Sequence, residues 1–233
     1  MTLPTWDSPE EIVEGSIKAQ LQILSGYKGN EKTNKKKLRE ALVPKHAAIS
    51  LTGEPALYNR ISELIEVFHK RGFTTFLVSN GTVPSALAKL DEEPTQLYIS
   101  LCAPNKEIYD QVCRPQFPKA WEKLKETLAL LPSFKCPTVI RITSVRNVNM
   151  KNVKDYAKLI GKANPTYVEP KAYMYVGFSR LRLGYEHMPS HKEIQAFAKQ
   201  IAMETSYNII DESKDSRVVL LSKLEKPIKF GDG

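Results

Sequence analysis

The sequence predicts an α/β protein built on a mainly parallel sheet, and three observations predict it. Short β-branched or aromatic runs start at residues 47, 74, 96, 138 and 166, so successive starts lie 27, 22, 42 and 28 residues apart, the scale of a strand-plus-helix unit. Between the runs, apolar residues recur at helical period, as in Leu57, Ile61, Leu64, Ile65 and Phe68. The 233 residues, 42% hydrophobic and 26% charged, match an ordinary globular chain with a buried core.

The chain opens with a helix start: Ser8 can cap, Pro9 suits the first helical position and Glu11 completes a capping box ahead of Val13, Ile17, Leu21 and Leu24. Ser25-Gly26 ends that helix. The lysine-dense run from Lys28 to Arg39 reads as a surface loop passing into a short helix, Lys36 to Leu42. Strands are expected over Ala47–Thr52, Thr74–Ser79, Gln96–Leu101, Thr138–Thr143 and Thr166–Tyr173. Helices are expected around Trp121, Leu124, Leu128 and Leu131, and around Val153, Tyr156, Ala157 and Ile160. A second capping box, Ser190 with Glu193, starts a helix carrying Ile194, Phe197, Ala198 and Ile201. Two late strands, Tyr207–Ile210 and Arg217–Leu221, form a hairpin or join the sheet edge. The expected division is 1–45 for the N-terminal helix and basic loop, 46–206 for the βα body, and 207–233 for the last strands and tail. Five or six parallel units are too few for a closed eight-fold barrel, which leaves an open doubly wound sheet or a partial barrel; periodicity does not choose.

Charge and cysteine content narrow the function. The formal net charge of +8 favours a polyanionic partner such as nucleic acid, although a merely basic protein has the same arithmetic. Three cysteines, Cys102, Cys113 and Cys136, write neither a disulfide framework nor a metal knuckle, and each reads as a small, semi-buried thiol. No window approaches the ~18 apolar residues of a bilayer span. An acidic, proline-containing opening is unlike a secretion signal, so no membrane partner and a cytoplasmic location are expected.

In a parallel α/β design, ligands bind beyond the carboxyl ends of the strands, so the junctions there matter most. They read SLTGEP, VSNGT, SLCAPN, RITSVRN and VEPKAYMYVG. In the first, Gly53 permits a turn and Glu54 presents a carboxylate suited to an ammonium; a tight turn with a solvated glutamate accounts for the same residues. In the second, Ser79 and Asn80 offer a hydroxyl and an amide, though Asn-Gly is also an ordinary turn dipeptide.

Taken together, the segments WDSPEEIVEGSIKAQ, SGYKG, PKHAAISLTGEPALY, GFTTFLVSNGT, PTQLYISLCAP, VCRPQFPKAWE, TVIRITSVRNVNM, VEPKAYMYVGFSRLRL and MPSHKEIQAFA resemble the radical S-adenosylmethionine enzymes, and within them the tRNA 4-demethylwyosine synthase family. The resemblance runs from Trp6 to about Leu221. It implies a partial (β/α)6-type barrel binding S-adenosylmethionine over a [4Fe-4S] cluster, with a second cluster in the family. By position, Gly53 and Glu54 match the turn that receives the methionine amino group, and Ser79 and Asn80 the residues near its carboxylate and ribose. Arg141 and Thr143 match residues lining the pocket; Lys171 and Arg114 lie in segments suited to pyruvate or RNA phosphate, or are simply surface and structural cations.

The implied reaction acts on N1-methylguanosine of tRNA-Phe: a 5'-deoxyadenosyl radical takes hydrogen from the methyl group, and pyruvate carbons close a third ring, with electrons from a donor protein. Lys35, Lys36 and Lys37, Lys45 at the barrel entrance, and Arg180 and Arg182 could track phosphates, and Tyr173, Tyr175 and Phe178 could stack on bases; a solvated lysine loop and aromatic packing account for the same residues. The departure from the family is that its C-x-x-x-C-x-x-C cluster motif does not occur here. The first strand expected, near Ala47, resembles the family's second, so the first strand, the cluster loop and the pyruvate lysine are expected to precede Met1. The expectation is therefore a shortened synthase, a carbon-carbon lyase when whole and inactive as this chain alone. The alternative is a non-catalytic remnant or one half of a split enzyme that binds S-adenosylmethionine or RNA.

Overall fold

The computed structural model describes residues 5–51 and 53–230. In chain order the elements are α1 (Pro9–Ser25), α2 (Lys35–Ala41), β1 (His46–Ile49), α3 (Ile61–Lys70), β2 (Thr74–Ser79), α4 (Pro84–Leu87), β3 (Gln96–Ser100), α5 (Lys106–Cys113), α6 (Ala120–Leu130), β4 (Thr138–Ser144), α7 (Val153–Ala163), β5 (Tyr167–Ala172), α8 (His191–Glu204), β6 (Asn208–Ser213) and β7 (Val218–Ser222). Both capping boxes form: Ser8 Oγ accepts from Glu11 N–H and Ser190 Oγ from Glu193 N–H, each glutamate reaching back to its cap.

All seven strands form one sheet in the order β1-β2-β3-β4-β5-β7-β6. The first five are parallel, whereas β7 runs antiparallel to β5 and β6 antiparallel to β7. A doubly wound sheet reverses its strand order partway; here each parallel strand adds to the same side, which excludes that alternative. Right-handed crossovers then put the connecting helices on one face. Accordingly α1 packs on α3, α4 on α6, α6 on α7, and α7 on α8.

The period of two along each strand separates the sheet's faces. Leu77, Leu97, Ile99, Ile140, Ile142 and Val168 point to the helices and are fully buried. The interleaved Phe76, Val78, Tyr98, Ser100, Arg141, Thr143, Glu169 and Lys171 point the other way and are half-buried.

Several boundaries differ from the sequence expectation. β1 stops at Ile49 because Leu51 takes a φ of 95°, outside the extended region; the expected strand end, Thr52, lies outside the described residues, as does Met1. β6 runs on through Asp211 and Glu212, expected as turn, because an edge strand can leave charged side chains in water while its backbone pairs. The short helix expected over Lys36 to Leu42 forms one residue earlier, as α2: Asn34 Oδ1 accepts from the N–H groups of Lys36 and Lys37, fixing its start. The two late strands both form a hairpin and join the sheet edge.

Candidate active site

Beyond the carboxyl ends of β2 to β5 lies a cavity of about 830 Å³. That is within the ~300–1,000 Å³ of small-molecule sites. Asn80 after β2, Ser100 at the end of β3 with Cys102 after it, and Thr143 in β4 with Val145 after it line it, joined by Tyr173 after β5. The opposite wall is the segment Gln111–Phe117, including Cys113 and Arg114, together with Ser179, Arg182, Leu183 and His187. The lining includes two arginines and no carboxylate. Such a wall favours an anionic ligand.

The turns after β1 and β2 are bound to each other beside this cavity. Glu54 Oε2 accepts from Asn80 N–H at 2.6 Å and Oε1 from Ala56 N–H at 3.0 Å. Gly53 precedes it with φ 78°, a conformation glycine adopts without strain. A carboxylate has about four acceptor positions, so both Glu54 oxygens retain capacity for an ammonium. Asn80 Oδ1 is taken by Thr82 N–H (2.9 Å) and Thr82 Oγ1 (2.5 Å), which leaves the side-chain NH2 as a donor at the cavity. Gly81, with φ 74°, fits only because it lacks a Cβ: one placed there would stand 2.6 Å from Leu124 Cδ1.

The rims of β3 and β4 are held by Asn149, which is fully buried. Its Nδ2 donates to the carbonyls of Cys102 and Thr143, each at 2.8 Å, and its Oδ1 accepts from Val145 N–H at 2.7 Å. On the sheet's open face, Arg141 Nε bonds Glu169 Oε1 at 2.8 Å, and its guanidinium lies 4.4 Å from the Tyr98 ring centroid. Burial, and then the nearby Glu169 charge, raises the Tyr98 phenol above its usual value.

Glu54, Asn80 and Thr143 therefore gather at one end of the sheet, while several other expected positions are corrected. Ser79 points toward the helix layer, fully buried, where its Oγ accepts from Gly81 N–H at 2.9 Å; by strand alternation it cannot face the cavity through which Asn80 is reached. Arg141 is occupied by Glu169, and Lys171 pairs in register with Thr143 on the open face without lining the cavity. Arg114 and Arg182 do line it, and Arg180 instead stacks 5.1 Å from the Tyr175 ring centroid. Tyr173 is no surface stacking platform: it is 5% exposed, and its hydroxyl is buried at the cavity without a hydrogen-bond partner. Phe178, 90% exposed, is free to stack. Lys35, Lys36 and Lys37 are exposed on α2, outside the cavity lining. Lys45 precedes β1, so it sits at the amino ends of the parallel strands, opposite the cavity. The sequence reading missed Asn149, whose segment VRNVNM signals only a loop, and the placing of Cys102 and Cys113, eleven residues apart along the chain, in the lining of one cavity.

Residues 162–223 match the family described as wyosine base formation. The chain is 52% identical over 94% of its length to the S-adenosyl-L-methionine-dependent tRNA 4-demethylwyosine synthase of Pyrococcus abyssi, of which it spans 65%. It is 42% identical over 97% of its length to the enzyme of that name from Methanocaldococcus jannaschii, spanning 71%. Among solved structures, TYW1 with a lysine-pyruvate adduct bound superposes with a TM-score of 0.87 at 42% identity, over 95% of this chain and 72% of that one. The Escherichia coli radical SAM enzyme coproporphyrinogen III oxidase shares the fold alone, at a TM-score of 0.52 and 14% identity over 93% of this chain and 50% of that one. On the sequence identity, the coverage and the superposition, the chain belongs to the S-adenosyl-L-methionine-dependent tRNA 4-demethylwyosine synthase family.

Proposed function

We propose that this chain is the cofactor-cradling and RNA-facing part of a tRNA 4-demethylwyosine synthase, which condenses N1-methylguanosine of tRNA-Phe with carbons of pyruvate. The observation that carries the reading is the cavity at the carboxyl ends of β2 to β5, bearing two arginines and no carboxylate, beside the joined Glu54 and Asn80 turns. The relatives' name supports it. The singly wound sheet is then most of a (β/α)6 barrel, with residues 1–45 preceding it and 207–233 following it.

S-adenosylmethionine fits the residues present. Glu54, beside the cavity, has acceptor positions for its ammonium, Asn80 in the lining a free amide donor for a carboxylate or ribose oxygen, and Tyr173, also in the lining, an orphaned hydroxyl. When bound, S-adenosylmethionine supplies the adenosyl group that begins chemistry on the methylated base. Arg114 and Arg182 hold the anionic part of the substrate, an RNA phosphate or the ketoacid carboxylate. Phe178 offers a ring to an unpaired base, and Lys35, Lys36 and Lys37 add counterion-releasing contacts to the RNA backbone.

An iron-sulfur cluster does not fit these residues. Among the described residues no three His, Cys, Asp or Glu side chains come together as a metal site. Cys102 and Cys113 line the cavity, and Cys136 lies beside Glu93, before β4 and so at the amino ends of the strands. The cluster ligands are therefore assigned to protein outside this sequence, as is the lysine that would hold pyruvate, and electrons come from a separate donor. This same observation favours a second reading, in which the chain is one half of a split enzyme.

The test combines this chain with the separately produced cysteine-bearing segment of an archaeal relative under anaerobic iron-sulfur reconstitution, then adds S-adenosylmethionine, pyruvate, dithionite and tRNA-Phe containing N1-methylguanosine. Mass spectrometry of digested tRNA is expected to show 4-demethylwyosine with both parts present and none with this chain alone. A reconstituted mixture that binds tRNA yet forms no product contradicts the synthase reading.

A further inference from the structure

We propose that a second cavity, of about 490 Å³ at the same end of the sheet, is a phosphate-binding subsite that takes a backbone phosphate of the RNA substrate. The assignment to RNA deepens the synthase reading and rests on it; the phosphate site stands on its own geometry. Arg146 follows β4, and Lys214, Asp215 and Arg217 belong to the turn between β6 and β7. The Arg217 carbonyl accepts from Ala172 N–H at 2.9 Å, which fixes that turn to the carboxyl end of β5. Ser190 and His191, at the start of α8, complete the wall. One connection links the two cavities: His187 lines the first, and Tyr185 and Met188 line the second.

His191 is the residue that calls for a ligand. Its side chain is 10% exposed, yet neither ring nitrogen makes a hydrogen bond; Nε2 stands 3.3 Å from Glu212 Oε2 without hydrogen-bond geometry. An imidazole always carries at least one N–H, so the ring is a buried donor lacking an acceptor. His191 is also the first residue of the 14-residue helix α8. Ser190 Oγ caps Glu193 N–H, which leaves the N–H groups of His191 and Lys192 without a partner among the described residues. Idle amides at a helix start, beside an idle imidazole, make a cradle for an oxyanion.

The side chains around the cradle favour the same sign of ligand. The lining holds three cations against one carboxylate, Asp215. Arg146 is matched by Glu193, its Nε and Nη2 bonded at 2.6 and 2.5 Å. Glu212 lies outside the lining, 46% exposed, and accepts from Gln195 Nε2 at 2.8 Å. Lys214 is exposed and makes no ion pair among the described residues, while Arg217 uses only Nη1, on the Pro189 carbonyl at 3.3 Å. Lys214 and Arg217 are therefore the cations available to a phosphate.

The experiment has two arms. In the first, amide NMR of the labelled chain follows titration with inorganic phosphate against sodium chloride at equal ionic strength. Saturable shifts are expected at His191, Lys192 and Arg217 with phosphate alone. Lys214→Gln and His191→Phe should each weaken phosphate about tenfold, whereas Lys192→Gln, whose side chain is outside the lining, should not. In the second arm, tRNA-Phe binding is measured across salt concentrations, and Lys214→Gln should lower the slope of log K against log salt by about 0.7–0.9, the share of one phosphate. Phosphate that leaves His191 and Lys192 unmoved, or acts as chloride does, overturns the site. Saturable phosphate binding with an unchanged RNA slope overturns the RNA assignment. Both arms as expected, with no 4-demethylwyosine from the reconstituted mixture, would strike the synthase reading and uphold the subsite.

Discussion

On the helix side of the sheet, Leu77, Leu97, Ile99, Ile140, Ile142 and Val168 are all at 0% exposure. On the other side, the residues interleaved with them are Val78, Tyr98, Ser100, Arg141, Thr143 and Glu169, each half-buried and mostly polar. Parallel strands covered on both faces read as continuous apolar runs. Alternation here marks one face for stability and one for chemistry, within the same strands. The cavity opens at the strand ends of the second kind of surface.

The comparison breaks most visibly if the helix face is not the source of stability. Leu97→Ala or Ile140→Ala, each removing a fully buried side chain, is expected to cost ~2–5 kcal/mol in urea unfolding. Asn149→Ala sharpens it, because the rim bracket uses buried polar bonds instead of apolar packing. Orphaning Val145 N–H and two carbonyl partners is expected to cost ~1–3 kcal/mol. It should also raise hydrogen exchange at Val145 more than at Leu97.

On the cavity side the expected effects fall on binding more than on folding. Glu54→Gln keeps the side-chain shape but loses the charge, and should weaken S-adenosylmethionine binding while leaving tRNA affinity intact. Its stability cost is expected to stay within ~1.5 kcal/mol. Unchanged cofactor affinity would remove Glu54 from the site.

The rim also carries a pH signature. The Arg146 guanidinium, with Ser190, holds the Glu193 carboxyl down to about 2 from an ordinary value of 4.5. A depressed carboxyl stabilises the fold above its unfolded pKa, and that stability disappears as pH falls through the folded value. The urea midpoint of Glu193→Gln should lie below wild type at pH 7, and the gap should close toward pH 2. The pair is over a third exposed, so the difference is expected at ~1 kcal/mol or less. Smallest is replacement of Lys35, Lys36 and Lys37 by alanine, which should lower the salt dependence of tRNA binding by up to about 0.7–0.9 in slope for each phosphate no longer neutralised, with stability unchanged.

What was legible in the sequence was local or periodic. The capping boxes at Ser8 and Ser190 involve residues three apart, and the strand starts follow from runs bounded by glycine, proline or asparagine. The junctions after β1 and β2 bring Glu54 and Asn80 together, although their bond spans 26 residues and is visible only once β1 and β2 pair. Facing direction was harder. Ser79 and Asn80 are neighbours in sequence, but a period of two sends one to the core and the other to the cavity. Tyr173 allowed two readings, stacking on RNA or packing, and the backbone bond from its N–H to the Ser144 carbonyl draws it inside. Strand polarity decides Lys45, which its charge alone could not place.

The most direct measurement is amide NMR of the isotopically labelled chain with millimolar S-adenosylmethionine. Shifts are expected at Gly53, Asn80, Gly81, Thr82 and Thr143, with Thr95, Cys136 and Asn164 at the opposite ends of the strands unmoved. Saturating ligand that leaves the first group unshifted, or that moves the second group instead, would contradict the assignment of the cavity.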